Sequence, residues 1–359
     1  MYYYIDNNIQ LIGKNYQFDQ QYNNIIQYAH EPIIVTPQHN VSVLIPTYNE
    51  SDHIVHVLQS LQNHVYSEND GNDSSVWKSL VDTATDTLAS ITSLITNNNN
   101  TSRSINGHSA SHTNIQYILC DGGSTDNTIE LARQTIPNII IHQLPLNTPS
   151  YYHTRAYLLN TAVRQHTNSC DILLFVHGDT LIGNNWLSHV INTLNQPGTI
   201  LGSFKFDLHS STNVPYSNEL KSLVQFRSNL MSLPYGDQTL YLRKHTFEQL
   251  RGFQPHLQIM DDVDLVQRSK LYGIVDCDNT CVAYTSDRRY KQIGTINNIL
   301  INQLCIVLYN IGIPSQFIKS LYTTTYRVMS DQRSLLQQLI DTVSYTTEQA
   351  VSNITAAAQ

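Results

Sequence analysis

The chain has 359 residues, a formal net charge of −8, and only 13% charged residues against 41% hydrophobic ones. That length supplies one large core or two small ones. The acidic balance, with no basic stripe, argues against nucleic acid as a partner, and five scattered cysteines argue against a disulfide framework.

Residues 1–40 are rich in Tyr, Asn and Gln, with one apolar patch at Pro32–Val35. They are expected to be a partly disordered extension offering at most an edge strand. MYYYIDNNIQ has neither a basic nor an apolar leader region. A cytoplasmic chain with no secretory signal, and unused sequons at Asn40, Asn100 and Asn353, is therefore expected. Val41–Ile45 reads as the first strand. It leaves the sheet through Pro46-Thr47-Tyr48-Asn49-Glu50, and Ile54, Val57, Leu58 and Leu61 follow at helical spacing. Residues 66–112 turn to Glu, Asn, Asp, Gly and Ser around a homopolymeric Asn97–Asn100, which reads as a low-complexity insertion on a surface loop.

Ile115–Cys120 is the second strand. It ends in Asp121-Gly122-Gly123-Ser124-Thr125-Asp126, where two glycines admit backbone close to a ligand and Asp126 reads as a cap or loop brace. A helix through Ile129–Ala132, a strand at Ile139–Ile141 and a helix at Tyr151–Val163 carrying Arg155 and Asn160 come next. Ile172–Val176 is then a buried strand halted at His177-Gly178-Asp179-Thr180. Ligands bind at the carboxyl ends of strands in open α/β sheets, and a carboxylate there can hold a divalent cation. The competing reading of Asp179 is a cap for the helix Asn184–Leu194.

Beyond Asp179 the alternation changes. Strands are expected at Ile200–Leu208, Thr239–Leu242 and Val275–Tyr284, and helices at Tyr216–Met231 and from Met260 onward, with helical structure after Asp287-Arg288-Arg289-Tyr290. Cys277 and Cys281 could be half a metal site but read better as small buried residues. Ile296–Ile313 is the most apolar long segment. Its Asn and Gln residues argue against a spanning helix and leave open one lying on a membrane.

VSVLIPTYNE, ILCDGGSTDNT, LLFVHGDT and MDDVDL, in that order and each at a strand end, resemble the family 2 glycosyltransferases, which have the GT-A fold. YGDQTLYLRKHTFEQLRGF, MDDVDLVQR and SDRRY are similar to a largely bacterial-type subgroup with R-A-x-Q-x-N, H-A-D-T, Y-G-D-Q, E-D-V and paired-Arg motifs. The resemblance covers about residues 41–322. Gly178 replaces the usual Ala, expected to be neutral. Leu158 replaces Gln and Asp261 replaces Glu, which leaves acceptor specificity open. Without a Q-x-x-R-W motif or flanking spans, a processive synthase is not expected.

The resemblance implies an α/β GT-A (Rossmann-like) fold, a mainly parallel sheet flanked by helices. The transferase domain would run over 41–290, interrupted by the insertion, with a helical region at 291–359. It implies an inverting, metal-assisted glycosyltransferase (hexosyltransferase-type) using a nucleotide sugar, most simply a UDP-sugar, and Mn²⁺ or Mg²⁺. Pro46, Tyr48 and Glu50 would meet the donor base, Tyr48 by stacking, and Asp121 would accept from the uracil edge. Arg155 with Asn160 would face the diphosphate, and Arg288 and Arg289 would clamp it. For each Arg the alternative is a solvated surface cation. Asp179 would bind the metal, and His177 would ligate it or sit behind it. Asp262 would be the general base, with Asp261 or Gln238 positioning the acceptor, itself a glycan, a lipid or a small molecule. The rival classes are a catalytically silent nucleotide-sugar-binding protein and a nucleotidyltransferase, the latter disfavoured because PTYNE is no Gly-rich basic loop. Peripheral membrane contact stays open.

Overall fold

The structure, a computed structural model, describes residues 40–63, 114–150, 153–209 and 214–331, and the backbone of 3–5, 8–11 and 14–17. The insertion expected at 66–112, most of the N-terminal extension and the tail beyond 331 lie outside the described residues. The three short strands β1 (Tyr3–Ile5), β2 (Asn8–Leu11) and β3 (Lys14–Gln17) form an antiparallel sheet of their own. None of these three pairs with the main sheet, and the apolar patch at Pro32–Val35 lies outside the described residues.

The main sheet has eight strands. In chain order they are β4 (Asn40–Thr47), β5 (Asn114–Asp121), β6 (Ile140–Gln143), β7 (Ile172–Phe175), β8 (Thr180–Ile182), β9 (Thr199–Leu208), β10 (Leu240–Arg243) and β11 (Ile274–Thr285). Across the sheet they run β6-β5-β4-β7-β10-β9-β11-β8. β6, β5, β4 and β7 are parallel neighbours, β10 lies antiparallel between β7 and β9, and β11 pairs parallel with β9. This is a mixed, mainly parallel α/β sheet. β8 is the element the sequence did not announce. It is a three-residue strand directly after the Asp179 turn, paired antiparallel with β11.

Continuous apolar runs form the central strands because both sheet faces are covered. On one face Val41, Val43, Ile45, Ile172, Leu174 and Val176 pack under α1 (Ile54–Gln62), α2 (Thr128–Thr135) and α4 (Trp186–Leu194). On the other, Leu44, Ile118, Leu173, Phe175 and Leu240 meet α3 (Arg155–His166) and the Phe247–Phe253 pair. Alternation with period two along β4 and β7 decides which residue goes to which face.

The second half of the chain supplies α5 (Ser217–Met231), α6 (Lys244–Gln249), α7 (Asp261–Ser269), α8 (Arg288–Ile293) and α9 (Thr295–Asn310), with a further helix over 315–331. α9 and the last helix bury Ile301, Cys305, Tyr309 and Ile318 against Leu257, Val263 and Ile293. The C-terminal helices therefore seat α7. That helix is tied further by Asp264, which bonds Arg268 at 2.7 Å and accepts from the Tyr309 hydroxyl.

β6 carries a buried histidine, His142, paired with the half-buried His166 of α3. His142 Nδ1 is 3.1 Å from His166 Nε2, and His142 Nε2 is 2.9 Å from Thr161 Oγ1. Burial and the neighbouring His166 press the His142 pKa down to about 4. Below an unfolded value of roughly 6.5 the unfolded chain binds a proton that the folded one refuses. Stability contributed at neutral pH is thus lost as pH falls from 6.5 toward 4, by up to about 1.4 kcal/mol per pH unit for that proton. Urea unfolding at pH 7.5 and pH 5.0 should show this loss, and His142→Gln should flatten it. An unchanged slope in the variant would place the acid sensitivity elsewhere.

Candidate active site

Five loops converge at the carboxyl edge of the parallel strands. The turns after β4 and β5 are laced by their own side chains. Asn49, at φ 55°, accepts from the Thr125 amide through Oδ1 at 2.8 Å, and its amide donates to Ser124 Oγ at 2.9 Å. Asp126 accepts from the amides of Ser51 (3.1 Å) and Thr128 (3.0 Å) and from the Thr128 hydroxyl. Burial opposes its charge, but those donors win and draw its pKa down to about 2. It is the brace the sequence suggested. Asp121 is also internal. It is 1% exposed and its carboxylate takes the amides of Gly123 and Ser124, the Ser124 hydroxyl and the Gln143 amide. Tyr48 is 62% exposed and stands beside Gly122.

Gly178 is not interchangeable with alanine here. A Cβ would come within 2.7 Å of Thr47 Cγ2 and 3.2 Å of Glu50 Cγ, so the β4 and β7 loops close on each other only around glycine. The expectation that this departure is neutral is corrected on that ground.

Arg155, the first residue of α3, is the hub. Its Nε and Nη2 grip Asp261 bidentately at 2.9 and 2.7 Å, Nη2 lies 3.5 Å from Asp262, and Nη1 donates to His177 Nε2 at 2.9 Å. Burial works against its charge, yet Asp261 and Asp262 raise its pKa further. Three of its five N–H donors go to Asp261 and His177, the planar fork matching the Asp261 carboxylate, while the side chain still lines the cleft. The Nη1 contact corrects His177 as a metal ligand through Nε2. Arginine only donates, so that lone pair is occupied and the ring proton sits on Nδ1. Burial first, then Arg155, push the His177 pKa down to about 4, and the ring is neutral at pH 7.

Asp262 accepts from the Gly236 amide at 2.8 Å and the Val263 amide at 2.9 Å. Burial opposes its charge; Arg155 and the Gly236 amide outweigh burial and lower its pKa. Its side chain is 17% exposed against 5% for Asp261, so Asp262 is the member of the pair that faces the cleft. Opposite, Arg288 meets Glu50 at 3.1 Å and Asp179 at 3.8 Å, and Glu50 also lies 3.2 Å from His53. Arg289 donates to the Tyr322 hydroxyl at 3.3 Å.

These groups line a cleft of ≈ 400 Å³, which brings together Pro46, Glu50, Arg155, His177, Asp179, Asp261, Asp262, Arg288 and Arg289 of the residues expected from sequence. Four expected residues are not in its lining: Tyr48 and Asp121, described above, and Asn160 and Gln238. Asn160 clasps the Phe253 backbone, donating to its carbonyl at 2.7 Å and accepting its amide at 3.0 Å, as a strand partner would. Gln238 is 1% exposed, with its amide on the Phe204 carbonyl and its carbonyl taken by Arg227 and Ser228 at 2.8 Å. It props the Tyr235–Asp237 turn from below and has no polar atom left for an acceptor.

The sequence reading missed Asp237, Asn298, Asn302 and Tyr322, all of which line the cleft. Burial, with Asp262 and Asp179 adding to it and Arg227 opposing, pushes the Asp237 pKa up to about 6. Its Oδ1 and the Oδ1 of Asn298 are buried without hydrogen-bond partners. The one available signal was Asn298 and Asn302 four apart in an otherwise apolar helix.

Gly236 fills the gap between the acid and the imidazole. A Cβ there would lie 2.8 Å from both Asp262 Oδ2 and His177 Nε2. Gly236→Ala should lose about 1–3 kcal/mol of stability by overpacking. Pairing it with Asp262→Ala should recover part of that loss, the His177 contact remaining, in a double-mutant cycle read by chemical denaturation. Strict additivity would show that the methyl group does not meet the carboxylate.

Solved structures similar to this chain include S. aureus TarS 1-349, at 14% identity over 78% of this chain and 68% of that one, TM-score 0.43. The chain spans 41% of the longer TarS structure. Others are the mannosyltransferase PcManGT from Pyrobaculum calidifontis in complex with GDP-Man and Mn²⁺ (15% identity, 90% and 86% covered, TM-score 0.44) and glucosyl-3-phosphoglycerate synthase from Mycobacterium tuberculosis (15%, 85% and 89%, TM-score 0.42). No curated protein matches the sequence. The sequence model of the family Glycosyl transferase family 2 matches residues 88–252, a span that holds β5, β7, Arg155, His177, Asp179 and Asp237, while β4 before it and Asp262 after it complete the same cleft.

Proposed function

We propose that the protein is a family 2 glycosyltransferase that moves a hexosyl unit from a nucleotide sugar, a UDP-sugar in the simplest case, to an acceptor hydroxyl with inversion. One observation carries this: Asp179 at the end of β7 and Asp262 at the start of α7 face one cleft across its middle, with Arg288 and Arg289 beside the first and Arg155 behind the second. The family match over 88–252 supports the same reading.

On this reading the exposed ring of Tyr48 stacks on the base, and the loop that Asp121 shapes lies along its edge. Arg288 and Arg289 hold the diphosphate. Among the described residues no three His, Cys, Asp or Glu side chains cluster as a metal site. The side chain of Asp179 is 20% exposed in the cleft, and its nearest cation, Arg288, is 3.8 Å away. A single free carboxylate suits Mg²⁺ or Mn²⁺ whose other ligands are substrate phosphates and water. Such an ion, when bound, supplies charge neutralisation for the departing nucleoside diphosphate.

Asp262 takes the acceptor proton as the new bond forms. Its lowered pKa keeps it ionised at neutral pH, while an alcohol is far too weak an acid to lose its proton beforehand, so the help comes only in the transition state. Arg155 holds Asp262 and Asp261 in register. With base and acceptor on one side of the sugar and the diphosphate on the other, a single in-line displacement inverts the anomeric centre.

Asp179→Ala should weaken UDP binding and abolish its response to Mn²⁺ in calorimetry. Tight, metal-responsive binding by the variant would reduce Asp179 to a turn residue. Asp262→Asn should preserve UDP-sugar affinity and Mn²⁺ dependence while transfer falls on the order of 10²–10⁴-fold. Asp261→Asn, which loosens Arg155 without removing the base, should cost less. Near wild-type transfer by Asp262→Asn with a dead Asp261→Asn would reverse the assignment, two active variants would show that the acidic pair is not the base, and a wild type that binds UDP-sugar without transferring it would be a nucleotide-sugar-binding protein.

A further inference from the structure

α9 has two opposite faces. Asn298, Asn302 and Ile306 turn toward the cleft. On the other side Ile296, Leu300, Leu304, Val307 and Ile311 are 47–61% exposed. At 3.6 residues per turn these positions fall within an arc of about 80°, opposite the cleft-facing residues. Phe317, 63% exposed, and Leu321, 41% exposed, extend the apolar surface onto the next helix. A contiguous exposed apolar stripe of this kind marks a docking surface.

Charge says what covers it. From Arg288 to Ser330 the chain has no Asp or Glu, although the whole chain carries −8. Exposed Lys291, Lys319 and Arg327 lie in this stretch, and α9 itself has no charged residue. A second copy, joined by the same patch, would set these cations against one another. Lys291 is paired with Asp287 at 2.9 Å, and Lys319 and Arg327 remain as exposed cations beside the apolar residues, a combination that fits a surface of negative headgroups above hydrocarbon. α9 is 16 residues long, and no described helix is long and apolar enough to cross a membrane, so the geometry is that of a helix lying flat.

We propose that the outer face of α9 and the start of the 315–331 helix dock on an anionic lipid bilayer, which leaves the cleft on the far side of α9, one helix diameter (~10 Å) from the headgroups. Resting on the glycosyltransfer reading, the acceptor is then a hydroxyl group on a membrane lipid, received between Asn298, Asn302 and Asp262. The amides suit an uncharged hydroxyl, and a docked α9 keeps the cleft within one helix diameter (~10 Å) of the bilayer surface, in reach of a lipid headgroup that stands above it.

The test is co-sedimentation of the full chain with phosphatidylcholine vesicles with and without phosphatidylglycerol. The wild type should bind the anionic vesicles, release them at high salt, and bind pure phosphatidylcholine weakly. Leu300→Gln/Val307→Gln should lower vesicle partitioning at least about tenfold while leaving UDP binding unchanged, since neither residue touches the cleft. Lys319→Gln/Arg327→Gln, which spares the apolar stripe, should remove the preference for anionic lipid and serves if the first variant folds poorly. Wild-type protein left in the supernatant, binding that survives both pairs of substitutions, or a dimer that the apolar pair dissolves without any vesicle binding would each overturn docking. UDP-sugar binding without vesicle binding sinks this inference alone. Vesicle binding without any nucleotide-sugar binding removes the glycosyltransfer reading and its acceptor clause, and leaves the docking face standing.

Discussion

The grip of Arg155 on Asp261 is the contact on which the cleft depends. Asp261 is buried and Arg155 is partly open to the cleft, so the carboxylate is held by this guanidinium and would be left as an uncompensated buried charge without it. The local backbone is arranged to hold the pair. Thr154 caps α3 by accepting from the Tyr157 amide and also donates to the Pro255 carbonyl, both at 3.0 Å. One helical step along, Asn160 clasps Phe253. α3 thus fixes the 253–261 segment at three points, and Met260, in the left-handed region at φ 70°, turns the chain so that Asp261 and Asp262 open α7 toward Arg155. The acidic pair owes its place to a helix more than a hundred residues earlier in the chain.

The same contact sets the electrostatics. With Arg155 committed to Asp261, Asp262 and His177, Arg288 and Arg289 are the cleft cations facing Glu50, Asp179 and Asp237. Asp237 has the least compensation, and its raised pKa records that imbalance. A nucleoside diphosphate entering this cleft would add negative charge to a wall already short of cations, which is the physical reason the glycosyltransfer reading calls for a divalent ion beside Asp179. His177 contributes by remaining neutral: a second positive charge against Arg155 would be repelled, and burial already disfavours it.

How much of this was legible depended on whether a residue's role is local. Strand order through β7 and the loops at the strand ends followed from apolar runs and glycine turns, because burial on both faces leaves a plain signature. Asp126 was legible as a brace because its partners are its neighbours in sequence. Asn160, Gln238 and Arg155 were not, since an amide or guanidinium that satisfies a distant backbone or carboxylate looks, in one dimension, the same as one that waits for a ligand. Gly178 looked neutral because its neighbour, Thr47, lies on another strand. β8 was too short to carry a pattern, and its pairing with β11 follows the Asp179 turn.

The C-terminal helices complete the argument about where the site begins and ends. The sequence divides at about residue 290 into a sheet-bearing part and a helical remainder, yet the cleft does not divide there. Ile301, Cys305 and Tyr309 pack under Leu257 and Val263, so α9 fixes the segment that carries the acidic pair. Asn298 and Asn302 complete the wall opposite Asp179. Two amides facing inward from an uncharged helix are costly unless something hydrogen-bonds them, and Asn298 Oδ1 has no protein partner. On the glycosyltransfer reading, an acceptor hydroxyl would satisfy that demand. The part of the chain that seats α7 also walls the cleft that Asp262 faces, so the placing of α7 and the lining of the cleft rest on one helix.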